Sequence, residues 1–118
     1  MKAAPRVLPS LIVFDLDACL WLPEMYELSS RPTTYDAAKG GVKAGGETVK
    51  LFPGAQSVLH RILTDGSFSS TKIAAASSTT EPAYANTCLA QLPLDPSGAR
   101  QEKLDDLVEF KQSTVNSP

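Results

Sequence analysis

Residues 11 to 21 read LIVFDLDACLW, in which four branched or aromatic apolar residues lead directly into two aspartates one residue apart. A short apolar run without polar alternation is typical of a strand that is buried on both faces, as in a parallel sheet. Charged residues are rarely found at the end of such a strand unless they have partners. The stretch therefore predicts a buried first strand that places Asp15 and Asp17 at one edge of a sheet.

Composition and charge narrow the class of protein. The chain has 118 residues, 42% of them hydrophobic, and a net charge of -2, which fits one globular domain. Its Lys and Arg residues form no cluster, which argues against a nucleic-acid or membrane partner. No apolar run has the length of a signal peptide or a membrane span. We expect a monomeric cytoplasmic protein, with the nucleus as a second possible location.

Strand and helix signals alternate along the rest of the chain. Residues 22–50 hold two glycine pairs and two prolines, and they predict an irregular insertion containing a hairpin. Pro53 begins an amphipathic helix that Gly66 ends. Lys72–Ser77 is predicted as the second strand, although its three alanines favour a helix. Thr80-Glu81-Pro82 then predicts the start of a second helix, capped by the threonine.

This order of elements predicts an α/β fold. We expect a parallel sheet with helices on both faces and a small β-hairpin insertion after the first strand. Residues 104–110 form a last element whose type the pattern leaves open. We assign residues 1–112 to one domain and expect residues 113–118 to be a disordered tail.

The candidate site follows from this topology. Ligands of open α/β sheets bind at the carboxyl ends of the strands, where Asp15 and Ser77 are both expected. Residues i and i+2 of an extended segment point to the same side, so Asp15 and Asp17 can converge on one ligand. Two carboxylates suit Mg²⁺, which is held by few carboxylates together with waters and a substrate phosphate. Alternatively, Asp15 ends a strand and Asp17 caps a turn, without any ligand.

Three stretches carry a resemblance to a known family. VFDLDACLW is similar to the first motif of the haloacid dehalogenase superfamily, and its Leu-Trp ending resembles the magnesium-dependent, acid-phosphatase-like branch. Leu51-Phe52-Pro53-Gly54 resembles the element that follows the hairpin insertion in that branch. Residues 74–81, AAASSTTE, resemble its second motif. The resemblance covers residues 10 to 110 and implies a Rossmann-like haloacid dehalogenase fold.

The resemblance also implies a mechanism. Asp15 would be the nucleophile that forms an aspartyl-phosphate, and Asp17 would be the general acid and then the general base. Asp15 and the main-chain carbonyl of Asp17 would bind Mg²⁺. Ser77 and Ser78, with main-chain N–H groups near residues 78 and 79, would bind the substrate phosphate. The substrate would be a phosphorylated small molecule, such as a sugar phosphate, or a phosphoprotein, including one phosphorylated on tyrosine.

The chain also departs from the family pattern. Cys19 stands where the family usually has Thr, Val or Ser, and Ser78 stands where this branch has Arg. The third motif, a Lys, and the fourth, an acidic pair, have no clear counterpart, since Asp105-Asp106 follows no buried strand and Lys111 fits a surface charge. We therefore expect a chain truncated before these motifs. The alternative function is a catalytically deficient isoform or pseudophosphatase that acts as a binding module.

Four other side chains are candidates for a role in or near the site. His60 is interpreted as a surface residue of the first helix. Trp21 and Tyr26 either line a substrate pocket or pack the insertion against the sheet. Cys88 is interpreted as a core residue, and a redox pair with Cys19 is the weaker alternative.

Overall fold

The computed structural model describes residues 8–113 of the chain, and its elements follow the predicted order. The strands are β1 (Leu11–Asp15), β2 (Trp21–Leu22), β3 (Tyr35–Asp36), β4 (Gly41–Ala44), β5 (Glu47–Leu51), β6 (Lys72–Ser77) and β7 (Phe110–Ser113). The helices are α1 (Pro53–Thr64), α2 (Pro82–Gln91) and α3 (Leu104–Leu107), with 3₁₀ turns at Met25–Glu27 and Gly66–Phe68. None of the helices between residues 8 and 113 is long and apolar enough to cross a membrane.

The first sheet is parallel and has the order β1-β6-β7. Leu11 lies opposite Lys72, and Asp15 lies opposite Ala76, so β1 and β6 end at the same edge. The two strands that the sequence predicts are therefore neighbours in the sheet. With α1 between β1 and β6 in the chain and α2 after β6, the α/β fold class is confirmed as well.

The insertion forms a second, antiparallel sheet with the order β2-β5-β4-β3. Its hairpin pairs Val42 with Val49, and a two-residue loop of Gly45 and Gly46 joins the arms. Gly45 has a φ of +63°, a left-handed conformation that glycine adopts at little cost. The predicted hairpin arms are thus confirmed. The pairing of β2 with β5 extends this sheet back to the segment that follows β1.

One hydrophobic core joins the two sheets to the helices. Its buried members come from every part of the described chain: Leu16, Leu20, Trp21, Met25, Val42, Val49, Leu59, Ala75, Ala85, Cys88, Leu89, Leu92, Leu94 and Leu104. The main chain of the insertion also contacts α2, because Tyr35 N donates a hydrogen bond to Gln91 Oε1 at 3.3 Å. The insertion is therefore packed as part of the domain.

The prediction that β1 is buried on both faces was wrong. Leu11 and Val13 are 48% and 54% exposed, whereas Phe14, on the other face, packs against the core. β1 is an edge strand of the three-stranded sheet, and the face that carries Leu11 and Val13 is left largely exposed by the described elements. The sequence predicted helices over both faces of the sheet, but within residues 8–113 they do not fully cover β1.

Three boundaries also differ from the prediction. α1 ends at Thr64 with Asp65 as its C-cap, and Gly66, which was predicted to end the helix, begins the next 3₁₀ turn. The N-cap of α2 is Glu81 rather than Thr80, and it is the Thr79 hydroxyl that accepts a hydrogen bond from Glu81 N at 3.0 Å. The last element is a short helix, α3, followed by β7, which continues through Ser113. β7 therefore includes the first residue of the expected tail, and residues 114–118 lie outside the described residues.

Candidate active site

A tight turn follows β1 and determines where the two aspartates lie. Leu20 N donates a hydrogen bond to Leu16 O at 2.9 Å, and Ala18 N donates one to Trp21 O at 3.0 Å. Ala18 has a φ of +61°, which is unusual for a residue with a side chain. Leu16 is 2% exposed and inserts into the core, so Asp15 and Asp17 on either side of it are directed away from the core.

Asp15 ends β1 and is exposed. One of its carboxylate oxygens, Oδ1, accepts a hydrogen bond from Leu16 N at 2.9 Å. This bond orients the carboxylate without burying it. Asp15 is therefore accessible to a ligand from solvent, as a nucleophile must be.

Asp17 has a different environment. It is partly buried, and both of its carboxylate oxygens accept hydrogen bonds from nearby donors. Trp21 Nε1 donates to Oδ1 at 2.8 Å, and Met25 N donates to Oδ2 at 3.1 Å. Hydrogen bonds to an ionised carboxylate are stronger than those between neutral groups. Asp17 is therefore held in one orientation by the segment that begins the insertion.

A single cleft contains both aspartates. It is lined by Asp15, Asp17, Glu24, Tyr26, Ser78, Thr79 and Thr80. These residues come from three places: the end of β1, the start of the insertion, and the loop between β6 and α2. The expectation that two strand ends form one crevice agrees with this arrangement. Glu24 and Thr80 were not predicted as site residues, and Thr79 was predicted only through its main-chain N–H.

The two serines predicted to bind phosphate lie in different positions. Ser78 is exposed and lines the cleft with Asp15. Ser77 is only 9% exposed and lines a neighbouring cavity of about 210 Å³, together with Lys111. Thr79 lines both spaces, and its N–H donates to Ser77 Oγ at 3.1 Å. The cleft and the cavity thus meet at the loop that follows β6.

Negative charge dominates the cleft. Among the described residues that line it, none is Lys or Arg, whereas three are acidic. A hydrogen bond to Glu24, followed by the charge of that carboxylate, raises the pKa of the Tyr26 hydroxyl. A phosphate would be repelled by such a cleft unless a bound cation offset the charge.

The oxygen donors of the cleft fit Mg²⁺ chemically. Mg²⁺ prefers oxygen ligands and uses one or two carboxylates together with waters and substrate phosphate. The exposed Asp15 carboxylate and the main-chain carbonyl of Asp17 could supply such ligands, since the Asp17 carboxylate already accepts two hydrogen bonds. Within residues 8–113 no group of three or more His, Cys, Asp or Glu side chains could hold a metal by itself. A substrate-assisted Mg²⁺ site is the arrangement that these residues fit.

The remaining candidates lie elsewhere. Asp105 and Asp106 are in the first turn of α3, as expected for a helix start, and Asp105 Oδ1 lies 2.6 Å from Lys111 Nζ. His60 is exposed on α1, as predicted. Trp21 is fully buried and packs in the core rather than lining the cleft.

The two cysteines do not fit a redox pair. Cys19 is exposed, whereas Cys88 is fully buried in the core. Burial raises the pKa of the Cys88 thiol to about 12, with a smaller contribution from the charge of Asp17. Because a thiol with such a pKa stays protonated, Cys88 acts as a core residue.

Comparison with known proteins identifies the family. Neither the curated proteins nor the solved structures gave a match. A family model described as Acid Phosphatase matches residues 7–117, which is nearly the whole chain. The match includes both aspartates and the loop after β6, and it agrees with the resemblance carried by VFDLDACLW. The chain therefore belongs to the acid phosphatase family, and its predicted activity as a phosphatase is supported at that level.

Proposed function

We propose that this protein hydrolyses phosphomonoesters through an aspartyl-phosphate formed on Asp15, in a reaction that depends on Mg²⁺. One observation carries the proposal: the cleft joins an exposed carboxylate at the end of β1 with a second carboxylate held in one orientation. The first has the accessibility of a nucleophile, and the second has the fixed position of a general acid. Membership of the acid phosphatase family gives the reaction class.

In the first step, a carboxylate oxygen of Asp15 attacks the phosphorus atom of the substrate. The new bond joins Asp15 to phosphorus, and the bond from phosphorus to the ester oxygen breaks. Protonated Asp17 gives its proton to the leaving oxygen, so that an alcohol departs instead of an alkoxide. Ser78 in the same cleft, with Ser77 behind it, would donate hydrogen bonds to the phosphoryl oxygens.

In the second step, Asp17, now a carboxylate, takes a proton from water while the water oxygen attacks phosphorus. The bond between phosphorus and Asp15 breaks, inorganic phosphate forms, and both aspartates return to their starting states. Bound Mg²⁺ would offset the negative charge of the phosphoryl group and of Asp15 in both steps. Its ligands in this chain would be the Asp15 carboxylate and the main-chain carbonyl of Asp17.

The substrate class follows from the mouth of the cleft. Tyr26 is 67% exposed beside Glu24, and the cleft is open to solvent there, so a bulky leaving group can be accommodated. We propose a phosphorylated small molecule, such as a sugar phosphate, or a phosphoprotein carrying phosphotyrosine. The two free cysteines fit a reducing compartment, which supports a cytoplasmic location.

The test is turnover of 4-nitrophenyl phosphate by the purified chain. Activity should require Mg²⁺, disappear with a chelator and return when Mg²⁺ is added. Asp15→Asn should reduce kcat by at least ~10³-fold because the nucleophile is lost. The matched control is Asp36→Asn, because Asp36 lies on β3 outside the cleft. Equal activity of Asp15→Asn and the control would contradict the proposal.

A second function, phosphate-ligand binding without catalysis, is favoured by one observation. No Lys or Arg is among the described residues that line the cleft, so the charge of a transferring phosphoryl group has no side-chain cation beside it. In that case the purified chain should bind a phosphorylated ligand with Mg²⁺ and release no phosphate. Mg²⁺-dependent turnover that Asp15→Asn abolishes would exclude this alternative.

A further inference from the structure

We propose that Trp21 is a positioning residue of the reaction: its indole N–H holds the Asp17 carboxylate where it can protonate the leaving group. This inference rests on the proposed function. The observation behind it is the 2.8 Å hydrogen bond from Trp21 Nε1 to Asp17 Oδ1. Trp21 does not line the cleft, so it acts through Asp17 rather than on the substrate.

The indole is a fixed donor. Trp21 is 0% exposed, and its main chain pairs with Leu51 in the sheet of the insertion. A buried polar group is almost always hydrogen-bonded, and the Trp21 N–H has its partner in Asp17. Because close packing surrounds the ring, the N–H cannot follow Asp17 if that side chain turns. The Asp17 carboxylate is therefore held by a donor that does not move.

The second oxygen of the carboxylate is held as well. Met25 N, in the first 3₁₀ turn, donates to Asp17 Oδ2 at 3.1 Å, and the Met25 side chain is fully buried. Two donors on two oxygens leave the carboxylate plane little freedom to rotate. The start of the insertion thereby determines the orientation of the general acid, which gives the packing of β2 against β5 a role in catalysis.

This role predicts a dependence on the leaving group. A poor leaving group, such as the alkoxide of glycerol phosphate, needs the proton of the general acid. The 4-nitrophenolate of an aryl phosphate departs without much help. Trp21→Phe keeps an aromatic ring in the core, and it removes the N–H together with part of the volume of the indole. We expect it to reduce kcat/KM, which reports the step in which the leaving group departs, by about 10-fold more for glycerol phosphate than for 4-nitrophenyl phosphate.

A matched variant separates positioning from loss of packing. Val49→Ala shortens a fully buried side chain of the same sheet. The valine side chain has no group that can donate a hydrogen bond to the Asp17 carboxylate. It should change kcat/KM for both substrates by similar factors. If Trp21→Phe likewise lowered both kcat/KM values equally, or neither, the proposed role of Trp21 would be wrong.

A second measurement does not need turnover. Trp21 is the one tryptophan of the chain, so its indole N–H gives a single resonance in a ¹⁵N-labelled sample. Asp17→Ala should move this resonance strongly, because the proton loses a carboxylate acceptor, and Asp15→Ala should leave it nearly in place. A resonance that Asp17→Ala does not move would overturn the inference. If the wild-type chain released no phosphate from either ester, the proposed function would fail, and the resonance would still decide whether Trp21 holds Asp17.

Discussion

At the scale of single residues, the turn after β1 contains a measurable strain. Ala18 has a φ of +61°, and a left-handed conformation costs a residue with a side chain about 1–2 kcal/mol. Glycine has no such cost but loses more entropy on folding. We expect Ala18→Gly to raise the free energy of unfolding by about 0.5 kcal/mol, measured by urea denaturation.

The control for this prediction is an alanine in ordinary helical conformation. Ala83 is exposed in α2, and Ala83→Gly should lower the free energy of unfolding by about 0.5–1 kcal/mol. The two substitutions are chemically identical and should have opposite signs. A loss of stability in Ala18→Gly as large as that in Ala83→Gly would contradict the strained geometry of the turn.

The thiol of Cys88 predicts how stability depends on pH. Its pKa rises from 9.0 to about 12 in the folded protein because the side chain is buried. Between these pH values the unfolded chain has released a proton that the folded chain retains, so folding becomes less favourable as pH rises. Thermal unfolding should show that Cys88→Ala loses less stability than the wild type between about pH 9 and about pH 12. If the stabilities of Cys88→Ala and of the wild type fell equally as pH rises, the folded thiol would not retain its proton above its ordinary pKa.

At the scale of elements, the hairpin of the insertion requires Gly41. A Cβ built at this position meets Val49 O, and it would lie 2.6 Å from Thr48 Cγ2. Gly41→Ala should therefore lower the free energy of unfolding by about 1–3 kcal/mol. Gly46→Ala, in the loop of the same hairpin, meets nothing within 4 Å and should cost less than about 1 kcal/mol. Chemical denaturation of the two variants tests this, and equal losses would be inconsistent with the close approach of β4 and β5.

The elements differ in how far the sequence predicts them. β6 and the start of α1 are predicted well, because polar residues flank the strand and Pro53 begins the helix. The end of α1 is not, because Asp65 is its C-cap and Gly66 begins the next 3₁₀ turn. β2 and β3 have two residues each and no periodic pattern, so only their pairing in the sheet defines them. One face of β1 is left largely exposed at the edge of the sheet, and the local apolar run does not predict that position.

At the scale of the whole molecule, distant segments share one core. Leu104 on α3 is fully buried in the same cluster as Trp21. Leu104→Ala should lower the free energy of unfolding by about 2–5 kcal/mol, because it removes buried methylene groups and leaves a cavity. Leu22→Ala, at a position that is 43% exposed, should cost distinctly less. Similar losses in denaturation curves would contradict a core that includes α3.

The candidate site, like the elements, is predicted from the sequence only in part. Asp15 and Asp17 are predictable because the apolar run, the strand end and the i, i+2 spacing all occur in one short stretch. Glu24 and Tyr26 enter the cleft only because the insertion packs beside the turn after β1. The hydrogen bond between Trp21 and Asp17 joins residues four apart in the chain. No sequence pattern distinguishes a tryptophan that makes such a bond from one that only packs in the core. Packing of the whole domain decides these contacts.

The central claim is that Asp15 carries the phosphoryl group, and mass spectrometry of an acid-quenched reaction tests it most directly. The wild-type chain would be mixed with 4-nitrophenyl phosphate and Mg²⁺, quenched within one turnover and digested. We predict a phosphoryl adduct on the peptide that contains Asp15, absent from Asp15→Asn and present in Asp36→Asn. An adduct on another residue, or one that persists in Asp15→Asn, would contradict the account.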